Sequence, residues 1–272
     1  MQLCDFRRLI LGRLTAAVGS ADEARAMERI LLEELLLMTP AQALARPEYE
    51  VPDFMQVKYA RIIARLGDGE PLQYILGRAR FFGMSLRVSP AVLIPRPETE
   101  QLVDMIMDRF RSRTDLKVLD LGTGSGCIAL ALARNLKFAK VTGVDISEAA
   151  LEIARKNAEE QGLKVNFIKG DILNLDEIAG QWDVIVSNPP YVLESEAAEM
   201  ERNVLDHEPH GALFVADGDP MRFYQPTIDY WRTHRAPGGM LFFEINPLCA
   251  GLFTGAEIER DFCGKERFAL YG

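Results

Sequence analysis

The chain has 272 residues, 48% of them hydrophobic and 26% charged, which is typical of a folded globular protein and excludes a disordered or fibrous chain. Its 31 basic and 40 acidic residues give a formal charge of −9, which argues against indiscriminate binding to nucleic acid or to an anionic membrane. The four cysteines show no Cys-x-x-Cys pair and no zinc-like spacing. We therefore expect free thiols, no metal, no membrane segment and a cytoplasmic location.

Apolar residues recur at steps of three and four through residues 1–70, and no strand-like segment interrupts them. Pro40 and Pro52 mark helix starts, because proline is tolerated at the first helical position, and Gly67 marks a helix stop. The sequence predicts a small helical bundle over residues 1–70, which we expect to recognise a partner.

Aromatic, glycine and proline residues dominate residues 71–99. They surround two short extended runs, at residues 84–88 and 91–94. This segment is predicted to be a linker that contains a β-hairpin.

Short apolar runs alternate with helical stretches in residues 100–272. Strands that alternate with helices indicate a parallel sheet covered on both faces. The predicted strands are residues 118–121, 141–145, 165–169, 184–187, 240–244 and 267–271.

The first of these strands runs into Gly122-Thr123-Gly124-Ser125-Gly126, and a helix follows. Glycines allow a sharp turn and allow a ligand to lie against bare amides at a helix N-terminus. A tight structural turn is the alternative interpretation. A dinucleotide site would require a third glycine where Cys127 stands, so a nicotinamide-dependent oxidoreductase is disfavoured.

Carboxylates follow the next two strands. Asp145 ends the second strand, where a carboxylate can accept protons from two ribose hydroxyls, although simple helix capping is an alternative. The third strand is followed by Asp171 and by Ile172, whose side chain can cover a purine. Because parallel strands deliver their carboxyl ends to one edge, these residues and the glycine loop predict a nucleoside site.

Asn188-Pro189-Pro190-Tyr191 directly follows the fourth strand and therefore lies at the same edge. The prolines fix the backbone and leave carbonyls without competing N–H groups. The Asn188 amide donates and accepts, and Tyr191 offers a flat face. The set suits a planar N–H2 group whose protons bind acceptors while its lone pair is turned outward.

This constellation resembles the class I S-adenosylmethionine-dependent methyltransferases, and within them the HemK/PrmC-type protein-glutamine N5-methyltransferases. The closer resemblance rests on Gln-Tyr-Ile-Leu-Gly at residues 73–77, Phe-Gly at 82–83 and Val-Leu-Ile-Pro-Arg-Pro-Glu-Thr-Glu at 92–100, together with the motifs above. It implies a Rossmann-like, seven-stranded mixed sheet in residues 100–272, behind the helical bundle and the hairpin.

The resemblance also implies S-adenosyl-L-methionine as cofactor and the glutamine of the Gly-Gly-Gln motif of peptide chain release factors as substrate. The implied catalytic residues are Asn188, Pro189 and Tyr191, and Asn188, Pro189, Pro190 and Tyr191 would bind substrate. The implied cofactor-binding residues are Gly122, Thr123, Gly124, Ser125, Gly126, Asp145, Asp171, Ile172 and Asn188. We expect a monomer with a release factor as its partner and no direct nucleic-acid contact.

Two stretches depart from the family pattern. Val215-Ala216 replaces paired glycines, and Asn246-Pro247 replaces a glycine after the strand that ends at Glu244. These changes leave open a ribosomal-protein glutamine or an adenine N6 amino group as substrate, and a non-catalytic adaptor as an alternative function. Arg96 and Glu98 are either an ion pair that braces the hairpin or residues of the site.

Overall fold

The computed structural model describes residues 1–272 and divides into two compact units. One contains residues 1–76 and 202–207, and the other contains residues 77–201 and 208–272. The domain limits expected from the sequence, 1–70, 71–99 and 100–272, stay predictions. None of the helices combines the length and the apolar character that a membrane span requires.

The first unit is helical, as predicted. Its helices are α1 (Leu3–Val18), α2 (Ala21–Leu36), α3 (Pro40–Ala45), α4 (Asp53–Gly67), α5 (Leu72–Leu76) and α9 (Arg202–His207). Buried side chains of α1, α2 and α4 form its core, and the Tyr59 hydroxyl donates to the carbonyl of Leu31 at 2.9 Å within it.

The predicted helix limits are right at one site and displaced at two. Pro40 is the first residue of α3, and Thr39 caps that helix in a reciprocal capping box with Gln42. Pro52 is itself the N-cap of α4, so that helix begins one residue later than predicted, and Gly67 is its last helical residue rather than a residue beyond it.

The hairpin consists of β1 (Arg78–Phe81) and β2 (Met84–Arg87). Phe82 and Gly83 form its two-residue turn with φ of 49° and 71°, the left-handed conformation that matches the twist of a tight hairpin. The predicted strand at 84–88 is therefore confirmed in position, but that at 91–94 is wrong. Prolines at 90 and 95 flank the latter segment, and proline has no N–H to donate to a ladder.

Seven strands form the main sheet of the second unit, in the order β10-β11-β9-β6-β3-β4-β5. Neighbouring strands of this sheet are parallel, except that β11 is antiparallel to both β9 and β10. The sheet is therefore mixed. The strands are β3 (Lys117–Leu121), β4 (Lys140–Asp145), β5 (Asn166–Lys169), β6 (Trp182–Ser187), β9 (Arg235–Glu244), β10 (Glu257–Arg260) and β11 (Glu266–Tyr271). The sequence pattern did not predict β10 or a two-stranded parallel pair, β7 (Val192–Leu193) with β8 (Phe214–Val215).

Side chains alternate between the two faces of this sheet, as the period of two requires. Val184 and Val186 pack on one face with helices α6 (Pro97–Arg109), α7 (Cys127–Asn135) and α8 (Glu148–Gln161). Ile185 packs on the other face with α10 (Tyr224–His234). Both faces are covered, so the polar chemistry of the strands is confined to their ends.

Candidate active site

The site lies where strand order reverses. Strand β3 has β6 on one side and β4 on the other, so the helices that follow β3 and β6 leave a crevice at the carboxyl ends of these strands. Leu121, Asp145, Lys169 and Ser187 end β3, β4, β5 and β6 at this edge. The motifs that follow those strands therefore meet there.

Three glycines shape the loop between β3 and α7. Gly122, Gly124 and Gly126 have φ of 74°, 54° and 80°, which other residues adopt only with strain. A Cβ on Gly126 would lie 3.2 Å from both Ala154 Cβ and Phe167 Cζ. This glycine is therefore required by packing as well as by backbone conformation.

A buried carboxylate beneath this loop was not predicted. Asp120, inside the apolar strand β3, accepts hydrogen bonds from Thr123 Oγ1 at 2.6 Å and from the Ala129 N–H at 3.1 Å. Burial raises the pKa of Asp120 to about 7, against the lowering effect of these two bonds. The residue ties the glycine loop to the first turn of α7, and an acidic residue within an otherwise apolar strand was the available signal.

Asn157 fixes the loop from α8. It is fully buried, and its amide donates to the carbonyls of Ser125 at 2.9 Å and of Arg87 at 3.1 Å while accepting from the Arg87 N–H at 2.6 Å. The hairpin and the glycine loop are thus joined through one side chain. An amide on the apolar face of α8 was the sequence signal for it.

Asp145 stands at the end of β4 with both carboxylate oxygens engaged by main-chain N–H groups. Oδ2 accepts from Gly124 at 2.8 Å and Oδ1 accepts from Ser147 at 2.9 Å. Burial raises its pKa, and these bonds partly offset that effect. Ser147 caps α8 with its own hydroxyl, so capping does not account for Asp145.

The loop and the strand ends enclose a cavity of about 580 Å³. The predicted site residues that line it are Gly122, Thr123, Gly124, Ser125, Asp145, Asp171, Ile172, Asn188 and Pro190. Gly126, Pro189 and Tyr191 are not among its lining residues. Most of the predicted set is therefore gathered around one crevice.

Asn188 is held by a chain of side-chain hydrogen bonds. Its Nδ2 donates to Thr99 Oγ1 at 3.2 Å, and Thr99 Oγ1 donates to Glu244 Oε2 at 2.7 Å. The Tyr191 hydroxyl donates to Glu244 Oε1 at 3.0 Å. Burial is the main cause of a raised pKa for both Glu244 and Tyr191. The sequence singled out neither Thr99 nor Glu244 for a role.

Arg96 lines the same cavity and pairs with Glu208, at 2.5 Å between Nη2 and Oε1. Glu208 is buried and also accepts the Ile94 N–H at 3.2 Å. The expected ion pair between Arg96 and Glu98 is wrong, because Arg96 pairs with Glu208. A role of Arg96 in the site, whose wall it joins, stays a prediction. The pair ties the segment before α6 to the segment after α9.

Two family models match the chain. Residues 112–226 match "Methyltransferase domain", and residues 10–77 match "PrmC N-terminal domain". The release factor glutamine methyltransferase of Bacteroides thetaiotaomicron is 47% identical over 94% of this chain and 98% of its own. That of Deinococcus radiodurans is 34% identical over 98% of this chain and 97% of its own.

The chain belongs to the release factor glutamine methyltransferase family. Its fold is also that of the Thermus thermophilus 16S rRNA N2 G1207 methyltransferase, solved with AdoMet and guanosine. That likeness has a TM-score of 0.51 at 23% identity and covers 71% of this chain and 48% of the other. The class I methyltransferase fold expected from the sequence, with its seven-stranded mixed sheet, helical domain and hairpin, is confirmed.

The methyl donor of this family is S-adenosyl-L-methionine, and the cavity fits it. Gly122 and Gly124 present bare backbone to the cavity, and a Cβ on Gly122 would already lie 3.4 Å from Ile172 Cδ1. The Asp145 carboxylate supplies acceptors for hydroxyl groups, and Ile172 supplies an apolar wall. The residues that line the cavity therefore suit the polar and apolar parts of S-adenosyl-L-methionine.

Proposed function

We propose that this protein methylates the side-chain amide nitrogen of the glutamine in the Gly-Gly-Gln motif of a peptide chain release factor. The observation that carries the proposal is the Asn188 amide, held by Thr99 in the wall of the cavity that also contains the glycine loop. Similarity to release factor glutamine methyltransferases across almost the whole chain supports the same substrate.

The proposed cofactor contacts come from the glycine loop and from the ends of β4 and β5. Gly122, Thr123, Gly124, Ser125 and Gly126 would hold the polar part of S-adenosyl-L-methionine, Asp145 its ribose hydroxyls, and Asp171 with Ile172 its purine. When bound, this cofactor supplies an electrophilic methyl group on a sulfonium sulfur, and transfer forms one N–C bond and breaks one S–C bond.

Catalysis in this proposal depends on orientation. A glutamine amide is a weak nucleophile because its nitrogen lone pair is delocalised into the carbonyl. Acceptance of its two protons by Asn188 Oδ1 and by the Pro189 carbonyl would turn that nitrogen toward the methyl group, and such positioning supplies up to about 7–11 kcal/mol of a barrier. The proton released on methylation is acidic enough to leave to water.

Tyr191 and Pro190 complete the proposed substrate contacts. The Tyr191 hydroxyl is already committed to Glu244, so its proposed contribution is the face of its ring rather than acid–base chemistry. Pro190 lines the cavity and keeps the backbone rigid next to Asn188.

The partner and setting follow from the same proposal. A release factor is the protein partner, and all four cysteines are unpaired, which supports a reducing cytoplasmic compartment. The expectations of a monomer and of no nucleic-acid contact stay predictions.

Mass spectrometry of a recombinant release factor, incubated with this protein and S-adenosyl-L-methionine, tests the proposal. We expect the Gly-Gly-Gln peptide to gain one methyl group, and a release factor with alanine in place of that glutamine to gain none. Asn188→Ala should lose transfer, and an Asn188→Ala variant that methylates the release factor as fast as the parent would overturn the proposal. Binding of the cofactor without any product would instead indicate a non-catalytic adaptor.

A further inference from the structure

A buried carboxylate lies behind the substrate-facing asparagine. Glu244, at the end of β9, is 1% exposed, and Thr99, in the first turn of α6, is 2% exposed. The two side chains bond at 2.7 Å, and Thr99 in turn contacts Asn188 at 3.2 Å. The carboxylate thus reaches the cavity wall through a single hydroxyl group.

The donors and acceptors of these side chains allow only one direction for the hydrogen bonds that link Asn188, Thr99 and Glu244. An ionised carboxylate only accepts, so the single hydroxyl proton of Thr99 is committed to Glu244. The Thr99 oxygen can then only accept, and Asn188 must turn its NH2 group toward it. This leaves Asn188 Oδ1 as the acceptor available to a group in the cavity.

We propose that Glu244 acts through Thr99 as a positioning residue, setting the amide orientation of Asn188 so that Oδ1 accepts a proton of the substrate amide. The inference rests on the proposed function and deepens it.

Protonation of Glu244 would allow the hydrogen bonds between Glu244, Thr99 and Asn188 to reverse. A neutral carboxyl group can donate to the Thr99 oxygen, so the Thr99 proton becomes free to bond Asn188 Oδ1. The Asn188 NH2 group would then face the substrate amide, and two sets of N–H groups would repel each other. Burial raises the pKa of Glu244, whereas its bonds with Thr99 and Tyr191 and the charge of Arg267 lower it. Because the net shift of the Glu244 pKa is upward, the orientation of the Asn188 amide is lost at a higher pH than an ordinary glutamate would allow.

The titratable or charged groups around Glu244 are Glu98 from α6, Tyr191, Arg267 from β11, Tyr224 from α10 and Cys127 from α7.

Side-chain amide NMR of the free protein, labelled with 15N-asparagine, tests the chain of bonds without any turnover. The Asn188 NH2 signals are assigned by their loss in Asn188→Ala. We expect them to be protected from solvent exchange in the parent and to shift as Glu244 titrates. Thr99→Val should lose both properties, and Glu244→Gln should lose the pH-dependent shift. Signals that are unchanged in both variants would overturn the proposal.

Kinetics test the consequence for transfer. We expect Thr99→Val and Glu244→Gln each to lower kcat by about ten- to hundredfold, with little change in cofactor affinity, as for a misplaced reacting group. Thr99→Ser, which keeps the hydroxyl, should restore most of the rate. The kcat of the double variant should be no lower than that of the slower single variant, because both substitutions interrupt the same series of hydrogen bonds.

A matched control is available in α10. Thr227 is fully buried, and its hydroxyl bonds only the Phe223 carbonyl one turn earlier, at 2.9 Å. Thr227 does not line the cavity, and its partner is a main-chain carbonyl rather than a side chain, so Thr227→Val removes a buried hydroxyl outside the bonds that link Glu244 to Asn188 and should keep the parent kcat. Equal losses in Thr227→Val and Thr99→Val would reduce Thr99 to a structural residue and contradict the inference. Absence of release-factor methylation by the parent protein would count against the proposed function alone, since the NMR result still decides on the chain of bonds.

Discussion

The side-chain amide of Asn246 donates a hydrogen bond to the carbonyl oxygen of Tyr191 at 3.1 Å. The same NH2 group donates to Glu196 Oε2 at 2.5 Å, and Asn246 Oδ1 accepts the Leu248 N–H at 2.9 Å. Asn246 occupies one of the positions where the sequence departs from the family pattern. The departure therefore braces the segment after Asn188 instead of opening the wall of the site.

Replacing Asn246 by alanine tests this brace. The side chain is 3% exposed, so its loss leaves the Tyr191 carbonyl without this donor and leaves Glu196 Oε2 with the Leu193 N–H alone, at a cost of about 1–3 kcal/mol. We expect a lower Tm and a reduced kcat with unchanged cofactor affinity, measured by thermal unfolding, steady-state kinetics and calorimetry.

Asn246→Asp is the informative companion of the alanine variant. It keeps the shape of the side chain but places a second carboxylate beside Glu196, so it should be at least as destabilising at neutral pH. An aspartate variant as stable as the parent would show that the contact with Glu196 contributes nothing.

The other departure has a simpler explanation. Val215 is buried in β8 and pairs in register with Leu193 of β7, so a β-branched residue stands where the chain is extended. The parallel pair continues from the Asn188 segment, and pairs of two residues are too short to produce a readable alternation in sequence. This is why the sequence pattern did not reveal it.

Groups that directly follow strands can be predicted from the sequence, whereas groups that act from within other elements cannot. Asp145 and Asn188 were found because each directly follows an apolar run, and parallel strands bring such positions to one edge. Thr99, Asn157 and Glu208 come from helices and connections distant in the chain, and only the tertiary fold brings them to the site. Their polarity was visible, but their partners were not.

Gly126 and Gly162 provide a matched pair of glycine substitutions. Both have positive φ, 80° and 64°, so alanine costs about 1–2 kcal/mol at either position. Only Gly126 is crowded, because an added Cβ would lie 3.2 Å from atoms of Ala154 and Phe167, whereas a Cβ on Gly162 would meet no atom within 4 Å. We expect Gly126→Ala to lower the free energy of unfolding by about 1–3 kcal/mol more than Gly162→Ala.

The two glycine variants should also differ in cofactor affinity. Gly126 closes the loop that contacts the cavity, and Gly162 ends α8 as its C-cap, on no wall of that cavity. Calorimetric titration with S-adenosyl-L-methionine should show weaker binding for Gly126→Ala only. Equal affinities in the two variants would contradict the proposed role of the loop.

Asp145→Asn should weaken cofactor binding. Each Asp145 oxygen accepts a main-chain N–H, and asparagine would turn an NH2 group toward either Gly124 or Ser147. Loss of a charge-assisted bond and of loop geometry predicts a fall in affinity of about ten- to hundredfold. Asp176→Asn, at an exposed position outside the cavity, is the control and should bind as the parent does.

The stability of Asp120→Asn relative to the parent should rise with pH. Because burial raises the pKa of Asp120 from 3.8 to about 7, the folded state keeps a proton that the unfolded state has already released between these values. The stability of the parent therefore falls as pH rises through this window, by up to about 1.4 kcal/mol per pH unit, and is level above it.

Asparagine has no such titration, and its side-chain oxygen can still accept from Thr123 and Ala129. The Asp120 Oδ1 atom, which accepts no hydrogen bond, is the position that the asparagine NH2 group would take. We expect the Tm of Asp120→Asn, relative to that of the parent, to be higher at about pH 8 than at about pH 6. A difference in Tm that stays constant between these values would mean that Asp120 is already ionised in the folded protein throughout the range.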